Sequence, residues 1–211
     1  MLLALGISAL VGYLLGSVNF AVLVAKRHGI DILKEGSGNP GATNVKRVLG
    51  KGPGNLVFAL DALKGAAGTY LPFLLADAVS PGAPRFEVLV AGLAGTLLGH
   101  CFSCFLGFKG GKGVASTIGG LLVLLPFPIV IGAALWAIAF YATRYVSVAS
   151  LALGLSLPLS CWLLPKFTSL QFSDAELIFA GAIALFNVWT HRSNIGRLLR
   201  GEENKFTKKT S

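Results

Sequence analysis

Residues 36–47 read Gly36-Ser37-Gly38-Asn39-Pro40-Gly41-Ala42-Thr43-Asn44-Val45-Lys46-Arg47, a set of residue types suited to holding an anion. Gly36, Gly38 and Gly41 allow backbone dihedrals closed to other residues, so that N–H groups can converge on one ligand. Ser37, Asn39, Thr43 and Asn44 add neutral hydrogen-bonding groups, and Lys46 and Arg47 add charge, the guanidinium being able to grip phosphate oxygens as a fork. The letters also spell G-x-G-x-x-G, but that fingerprint must leave a β-strand and open a crossover helix. Here Asp31-Ile32-Leu33-Lys34-Glu35 precedes it, short and charged, which argues against a dinucleotide site. An ordinary surface loop would use the same glycine and asparagine.

A second cluster, residues 107–117, places Gly107, Gly110, Gly111 and Gly113 around Lys109 and Lys112 at the start of an apolar segment. A helix N-terminus there would favour an anion even before Lys112 acts. The spacing is one residue short of a Walker A loop, and Gly113 stands where Ser or Thr should meet magnesium. The stretch 143–150 adds Arg144, Ser147 and Ser150. Asn187, His191 and Asn194 share a helical face at i, i+4 and i+7, with Arg192, Arg197 and Glu202 following. An interfacial histidine reads equally as a structural hydrogen-bond donor or as a catalyst.

Asp61 and Lys64, at i and i+3 inside a long apolar segment, read as a structural ion pair supporting the site, because ionisable groups at such depth pair or line a polar cavity. Ser17 and Asn19 could line the same cavity. Cys101-x-x-Cys104, beside His100, lacks the second ligand pair that zinc needs and reads as buried apolar sulfur. No metal is expected.

The elements that must position these groups are membrane helices. The 211 residues are 54% hydrophobic and 13% charged, against about 25% charged in soluble proteins, and mean hydropathy is +0.73. Apolar runs near the membrane-crossing length fall at residues 2–25, 55–78 and 87–106. The region 114–164 divides at Pro126-Phe127-Pro128 and Thr143-Arg144-Tyr145 into 114–125, 129–142 and 146–164, and a last run covers 175–190. The expectation is an all-α, polytopic transmembrane bundle of seven helices, forming one integral membrane domain over residues 1–211. The fourth and fifth segments are short, and either cross or form a re-entrant pair.

Lys26 and Arg27 follow the first run, which reads as a retained helix rather than a cleaved signal, and puts the N-terminus outside and the C-terminus in the cytoplasm. On that topology 16 of the 18 Lys and Arg lie inside, only Arg85 and Lys166 outside, giving net charges of +11 and −2. The positive-inside rule and anionic lipid account for this asymmetry. No basic soluble domain is present to carry nucleic acid. All the polar clusters fall on the cytoplasmic side. Two glycine loops without nearby acidic pairs point to two separate phosphates rather than a magnesium-bound nucleotide.

Four ordered motifs carry a family resemblance: GSGNPGATNVKR, GH with FKGGKGVAST (Gly99-His100 and residues 108–117), YVSVAS (residues 145–150) and HRSNIGRLLRGEE (residues 191–203). Over essentially its whole length the chain resembles the bacterial integral-membrane acyl-phosphate:glycerol-3-phosphate acyltransferases. The resemblance implies acyl transfer from acyl phosphate to the 1-hydroxyl of glycerol-3-phosphate, giving lysophosphatidic acid, the first step of phospholipid synthesis in the inner membrane, without cofactor or metal. It implies an essential Ser37 and Arg47, phosphate recognition by Gly110, Gly111, Lys112 and Gly113, functional His191 and Asn194, and Glu202 for integrity. Leu33 and Ser103 stand where many members have Arg and Pro.

No H-x-x-x-x-D dyad exists, since Leu33, Phe105 and Gly196 follow the three histidines at that spacing, and no G-x-S-x-G elbow is present. Direct transfer therefore fits, by aligning hydroxyl and carbonyl and stabilising the developing charge. The base is either His191 or a phosphate oxygen of the donor, the latter preferred because no His–carboxylate pair is evident. A transporter of phosphorylated small molecules is the competing expectation.

Overall fold

The computed structural model describes residues 1–206, and its regular elements are helices, apart from one isolated bridge between Ser103 and Lys109. In order they are α1 (Leu2–Ser17), α2 (Phe20–Arg27), α3 (Ala42–Leu49), α4 (Lys51–Val79), α5 (Arg85–Cys101), a 3-10 turn (Cys104–Leu106), α6 (Val114–Leu124), α7 (Pro126–Thr143), α8 (Val146–Phe167), α9 (Asp174–Thr190) and α10 (Arg192–Leu199). Two compact units divide them at residue 124, α1 to α6 in the first and α7 to α10 in the second.

The described residues form ten α-helices rather than the seven expected from the apolar segments, and the differences have local causes. The first run is broken, because Val18 is extended and Asn19 caps α2 by accepting from the Val22 N–H at 3.0 Å. The third ends at Cys101 rather than 106. The fifth is longer than its 14-residue expectation, at 18 residues, since Pro126 and Pro128 lie in the first turn of α7, where a missing N–H costs no helix bond. Only α6 stays short, at 11 residues. Residues 2–27, Pro126–Thr143 and Val146–Phe167 are long and apolar enough to cross a membrane. Three eight-residue helices, α2, α3 and α10, add to these.

In the first unit, α5 packs along α1, and α4 packs on α1, α5 and α6. The contact is close because small residues meet. A Cβ on Gly12 or Gly16 would strike the α5 backbone at Gly92 or Thr96, and one on Gly95 or Gly99 would strike α1 at Ala9 or Tyr13. Lipid supplies no hydrophobic drive between helices, so such i, i+4 small pairs gain stability from backbone proximity. Ser8, Thr69 and Thr96 are buried yet satisfied by backbone carbonyls at 2.7, 2.8 and 2.8 Å.

The second unit packs α7 on α8 and α8 on α9. Helix α8 buries Ser147, Ser150, Ser156 and Ser160 together with Leu153 and Leu157, while Leu155, Leu159 and Trp162 are exposed, as expected of a helix with one face toward lipid. A capping box between Ser173 and Glu176 starts α9. After α10, Gly201 takes a left-handed conformation (φ 72°) and turns the chain back.

Candidate functional site

The first glycine loop is built around Asn44, fully buried in the first turn of α3. Its Oδ1 accepts the Ser37 N–H at 2.9 Å and the Arg47 guanidinium at 3.3 Å, while its Nδ2 donates to the Glu35 and Ile32 carbonyls at 2.9 and 3.3 Å. One amide thus sets both the Ser37 backbone and the Arg47 side chain. Gly36 and Gly38 are left-handed (φ 61° and 67°), and a side chain at residue 36 would collide with the Asn44 amide. These bonds make Asn44 a frame for the loop. Ser37 is exposed, and Asn39, Gly41, Thr43 and Arg47 are half-buried. Gly41 caps α3 without a side chain, which leaves that first turn open to an anion.

The second loop leaves α5 through the 3-10 turn. Gly107 and Phe108 are both left-handed (φ 60° and 59°), the Phe108 N–H bonds the Ser103 carbonyl at 2.9 Å, and the Gly111 N–H returns to the His100 carbonyl at 3.0 Å. Ser103 donates to the Ser17 carbonyl at 2.6 Å and so ties the turn to the broken end of α1. A Cβ on Gly110 would enter the carbonyls of His100 and Cys101. One on Gly111 would strike His100 Nε2 and come within 3.2 Å of the Pro40 carbonyl. The two glycine loops therefore meet where Gly111 faces Pro40, whose carbonyl also accepts from Asn19 Nδ2 at 3.4 Å. Half-buried Lys112 and buried Gly113 lead into α6.

Beneath this junction lies a buried polar cluster. Lys64 Nζ is 3.1 Å from Asp61 Oδ1, 2.7 Å from the Val18 carbonyl freed by the break between α1 and α2, and 3.1 Å from His100 Nδ1. Ser116 Oγ stands 3.4 Å from the same ring nitrogen. Asp61, Lys64 and His100 are at most 6% exposed. The carbonyl freed at the helix break is thus satisfied by a cation.

In the second unit, His191 ends α9 and Asn194 lies in α10, both buried. His191 Nδ1 is 2.9 Å from the Asn187 carbonyl. A carbonyl only accepts, so Nδ1 carries the proton and Nε2 the lone pair. Asn187 itself bridges to α8, donating to the Ser150 carbonyl at 2.7 Å. Glu203, returned by the turn at Gly201, accepts from Asn194 Nδ2 at 2.6 Å and from Arg197 Nε at 2.8 Å. Burial alone would raise the Glu203 carboxyl, but the bonds from Asn194 and Arg197, the nearby Ser147 hydroxyl and the Arg197 charge together hold it below the usual glutamate range. Ser147 Oγ is buried and close enough to favour that charge, though outside strict hydrogen-bond geometry.

Glu202, the acid singled out in the sequence, is more than half exposed and pairs with Arg200 at 2.7 Å. The anchoring carboxylate is its neighbour Glu203. His100 is the other residue to which sequence reasoning gave no role of its own. Its signal was the Gly99-His100 dipeptide ahead of the second glycine loop. Among the described residues no group of three or more His, Cys, Asp or Glu is placed to hold a metal ion.

Comparison with known proteins gives one family. A family model described as glycerol-3-phosphate acyltransferase matches residues 6–201. Curated proteins of that name include one from Shouchella clausii, 41% identical over 99% of both chains, and one from Myxococcus xanthus, 42% identical over 93% of this chain and 97% of its own. Among solved structures, the glycerol 3-phosphate form of PlsY (YgiH), an integral membrane glycerol 3-phosphate acyltransferase, matches with a TM-score of 0.81 at 38% identity, covering 97% of this chain and 96% of that one. The lysophosphatidic acid form of the same protein matches at 0.79, covering 97% and 95%.

Proposed function

The chain belongs to the glycerol-3-phosphate acyltransferase family, and from that premise we propose that it transfers an acyl group from acyl phosphate to the 1-hydroxyl of glycerol-3-phosphate. The products are 1-acyl-glycerol-3-phosphate, which is lysophosphatidic acid, and inorganic phosphate. It is a multi-pass membrane protein by its apolar helices and its likeness to an integral membrane enzyme. The proposal adds seven crossings in the bacterial inner membrane, the N-terminus outside, the C-terminus cytoplasmic and the glycine loops at the cytoplasmic face. The family match runs across both compact units, which supports one acyltransferase domain.

The observation that carries this reading is the meeting of two glycine loops at Gly111 and Pro40, one ending in Arg47 and the other in Lys112. Two phosphate-bearing substrates need two such cradles side by side. Ser37 and Arg47 orient one substrate, and Gly110, Gly111, Lys112 and Gly113 receive a phosphate. Gly36, Gly38, Asn39, Gly41 and Thr43 shape the first cradle around the Asn44 frame. His191 and Asn194 in the second unit retain as proposals the functional roles that the resemblance assigns, and Ser147 is proposed to bind phosphate.

The hydroxyl oxygen of glycerol-3-phosphate attacks the acyl carbon. A new ester C–O bond forms as the bond to the phosphate oxygen breaks, and the hydroxyl proton passes to the departing phosphate. Backbone N–H groups and cations stabilise the carbonyl oxygen as charge develops. A phosphate oxygen serves as base in preference to His191, because Nδ1 of that ring meets a backbone carbonyl, which stabilises an imidazolium less than a carboxylate would. The reaction needs neither cofactor nor metal in this scheme.

The test uses detergent-solubilised protein, with acyl phosphate and glycerol-3-phosphate supplied and lysophosphatidic acid measured. Turnover without a sealed membrane, abolished in Ser37→Ala and Arg47→Ala, is the expected result. Binding without product would overturn the reading and leave a transporter.

A further inference from the structure

His100 is 4% exposed, sits at the end of α5 and lies directly under the second glycine loop. Its Nδ1 faces Lys64 Nζ at 3.1 Å, and an ammonium has only protons to offer. Nδ1 must therefore accept. Lys64 donates to the Val18 carbonyl and to His100 Nδ1 and forms an ion pair with Asp61 Oδ1 at 3.1 Å, and these neighbours specify the ring. The proton of the neutral imidazole is left on Nε2.

That nitrogen points at Gly111, so closely that a methyl group at residue 111 would collide with it. Among the described residues no group hydrogen-bonds Nε2. Nε2 is thus an N–H donor beside the loop, open to an acceptor that a ligand brings. The glycine at 111 keeps the space above Nε2 clear, and the loop's other features, Lys112 and the start of α6, are those of an anion site.

We propose that His100 is a further substrate-binding residue: its Nε2–H donates a hydrogen bond to a phosphate oxygen held in the glycine loop 110–113, with Lys64 and Asp61 fixing the tautomer that makes it a donor. This rests on the reading of that loop as a phosphate cradle. Phosphate can come from either substrate, and Michaelis constants separate the two sources.

The experiment measures KM for glycerol-3-phosphate and for acyl phosphate, with kcat, on the solubilised full chain and on His100→Ala and His100→Gln. His100→Ala should raise one of the two KM values by about tenfold, the lower end of a hydrogen bond to a charged group, and the substrate affected identifies the phosphate. His100→Gln, which keeps an N–H donor, should recover part of the loss. Both KM values within twofold of the unaltered enzyme would overturn the inference. Absence of turnover in the unaltered protein would instead overturn the acyltransferase reading itself. Should His100→Ala not fold, nitrogen NMR of ¹⁵N-histidine in the unaltered protein decides. The expected result is an Nε2–H tautomer at His100 whose Nε2 resonance moves on adding glycerol-3-phosphate or inorganic phosphate. An Nδ1–H tautomer, or a resonance indifferent to both ligands, would refute it.

Discussion

Replacing Glu203 and Glu202 separately is the most direct challenge to the account of the second unit. Glu203 accepts from Asn194 at 2.6 Å and Arg197 at 2.8 Å, and its side chain is only 6% exposed. Glu202 holds Arg200 at 2.7 Å, but that pair is 58% and 61% exposed. Hydrogen bonds to charged groups contribute about 1.5–3 kcal/mol each, and removing the acceptor also strands two donors. Glu203→Ala should therefore destabilise by about 3–5 kcal/mol after some relaxation, whereas Glu202→Ala should stay within about 0.5 kcal/mol, as solvent-screened pairs do. Thermal unfolding in detergent, followed by near-UV circular dichroism, reads both.

The sign of the pH dependence follows from the same geometry. A carboxyl held below its unfolded value contributes stability that is fully present above that value and is lost as pH falls through the folded one. The unaltered protein should therefore lose this contribution on acidification below the ordinary glutamate range, and Glu203→Gln should lack that component. Equal shifts in the two alanine variants, or a pH profile unchanged by Glu203→Gln, would refute the assignment.

Other outcomes follow from single contacts. Asn44→Ala removes four hydrogen bonds from the first loop and should lower kcat/KM more than tenfold, with faster protease cleavage between residues 33 and 41; an unchanged kcat/KM would contradict its framing role. Lys64→Met leaves Asp61 buried without its cation and should cost about 3–5 kcal/mol, much of it regained in the double variant with Asp61→Leu, as unfolding measurements would show. Gly111→Ala, which drives a methyl into the His100 ring, should weaken phosphate binding in the kinetic assay while leaving thermal unfolding within a few degrees. His191→Ala retaining near-normal turnover at saturating substrate would exclude that histidine as the base.

Much of the fold is local and so is legible along the chain. Helices fall within the apolar segments because hydropathy and length act over one stretch of residues at a time. The discrepancies arise where local rules compete. Pro126 and Pro128 look like breakers but occupy the first turn of α7, and the stop at Val18 is visible only once Lys64 takes the carbonyl it frees. The choice between Glu202 and Glu203 is not a sequence property at all. The two are identical in type, and only the left-handed turn at Gly201 sends one inward and the other to solvent.

The sequence by itself determined that this is an all-helical membrane protein with glycine-rich, cationic loops of the acyltransferase family, because residue type, spacing and hydropathy carry that information without reference to distant neighbours. Tertiary structure decided which polar residues frame the loops and which face a ligand. Asn44 became a frame, Glu203 an anchor and His100 a donor through hydrogen bonds that join residues far apart in the chain, such as Lys64 to Val18 and to His100. A buried polar group takes its role from the partner it finds, and that partner is set by packing.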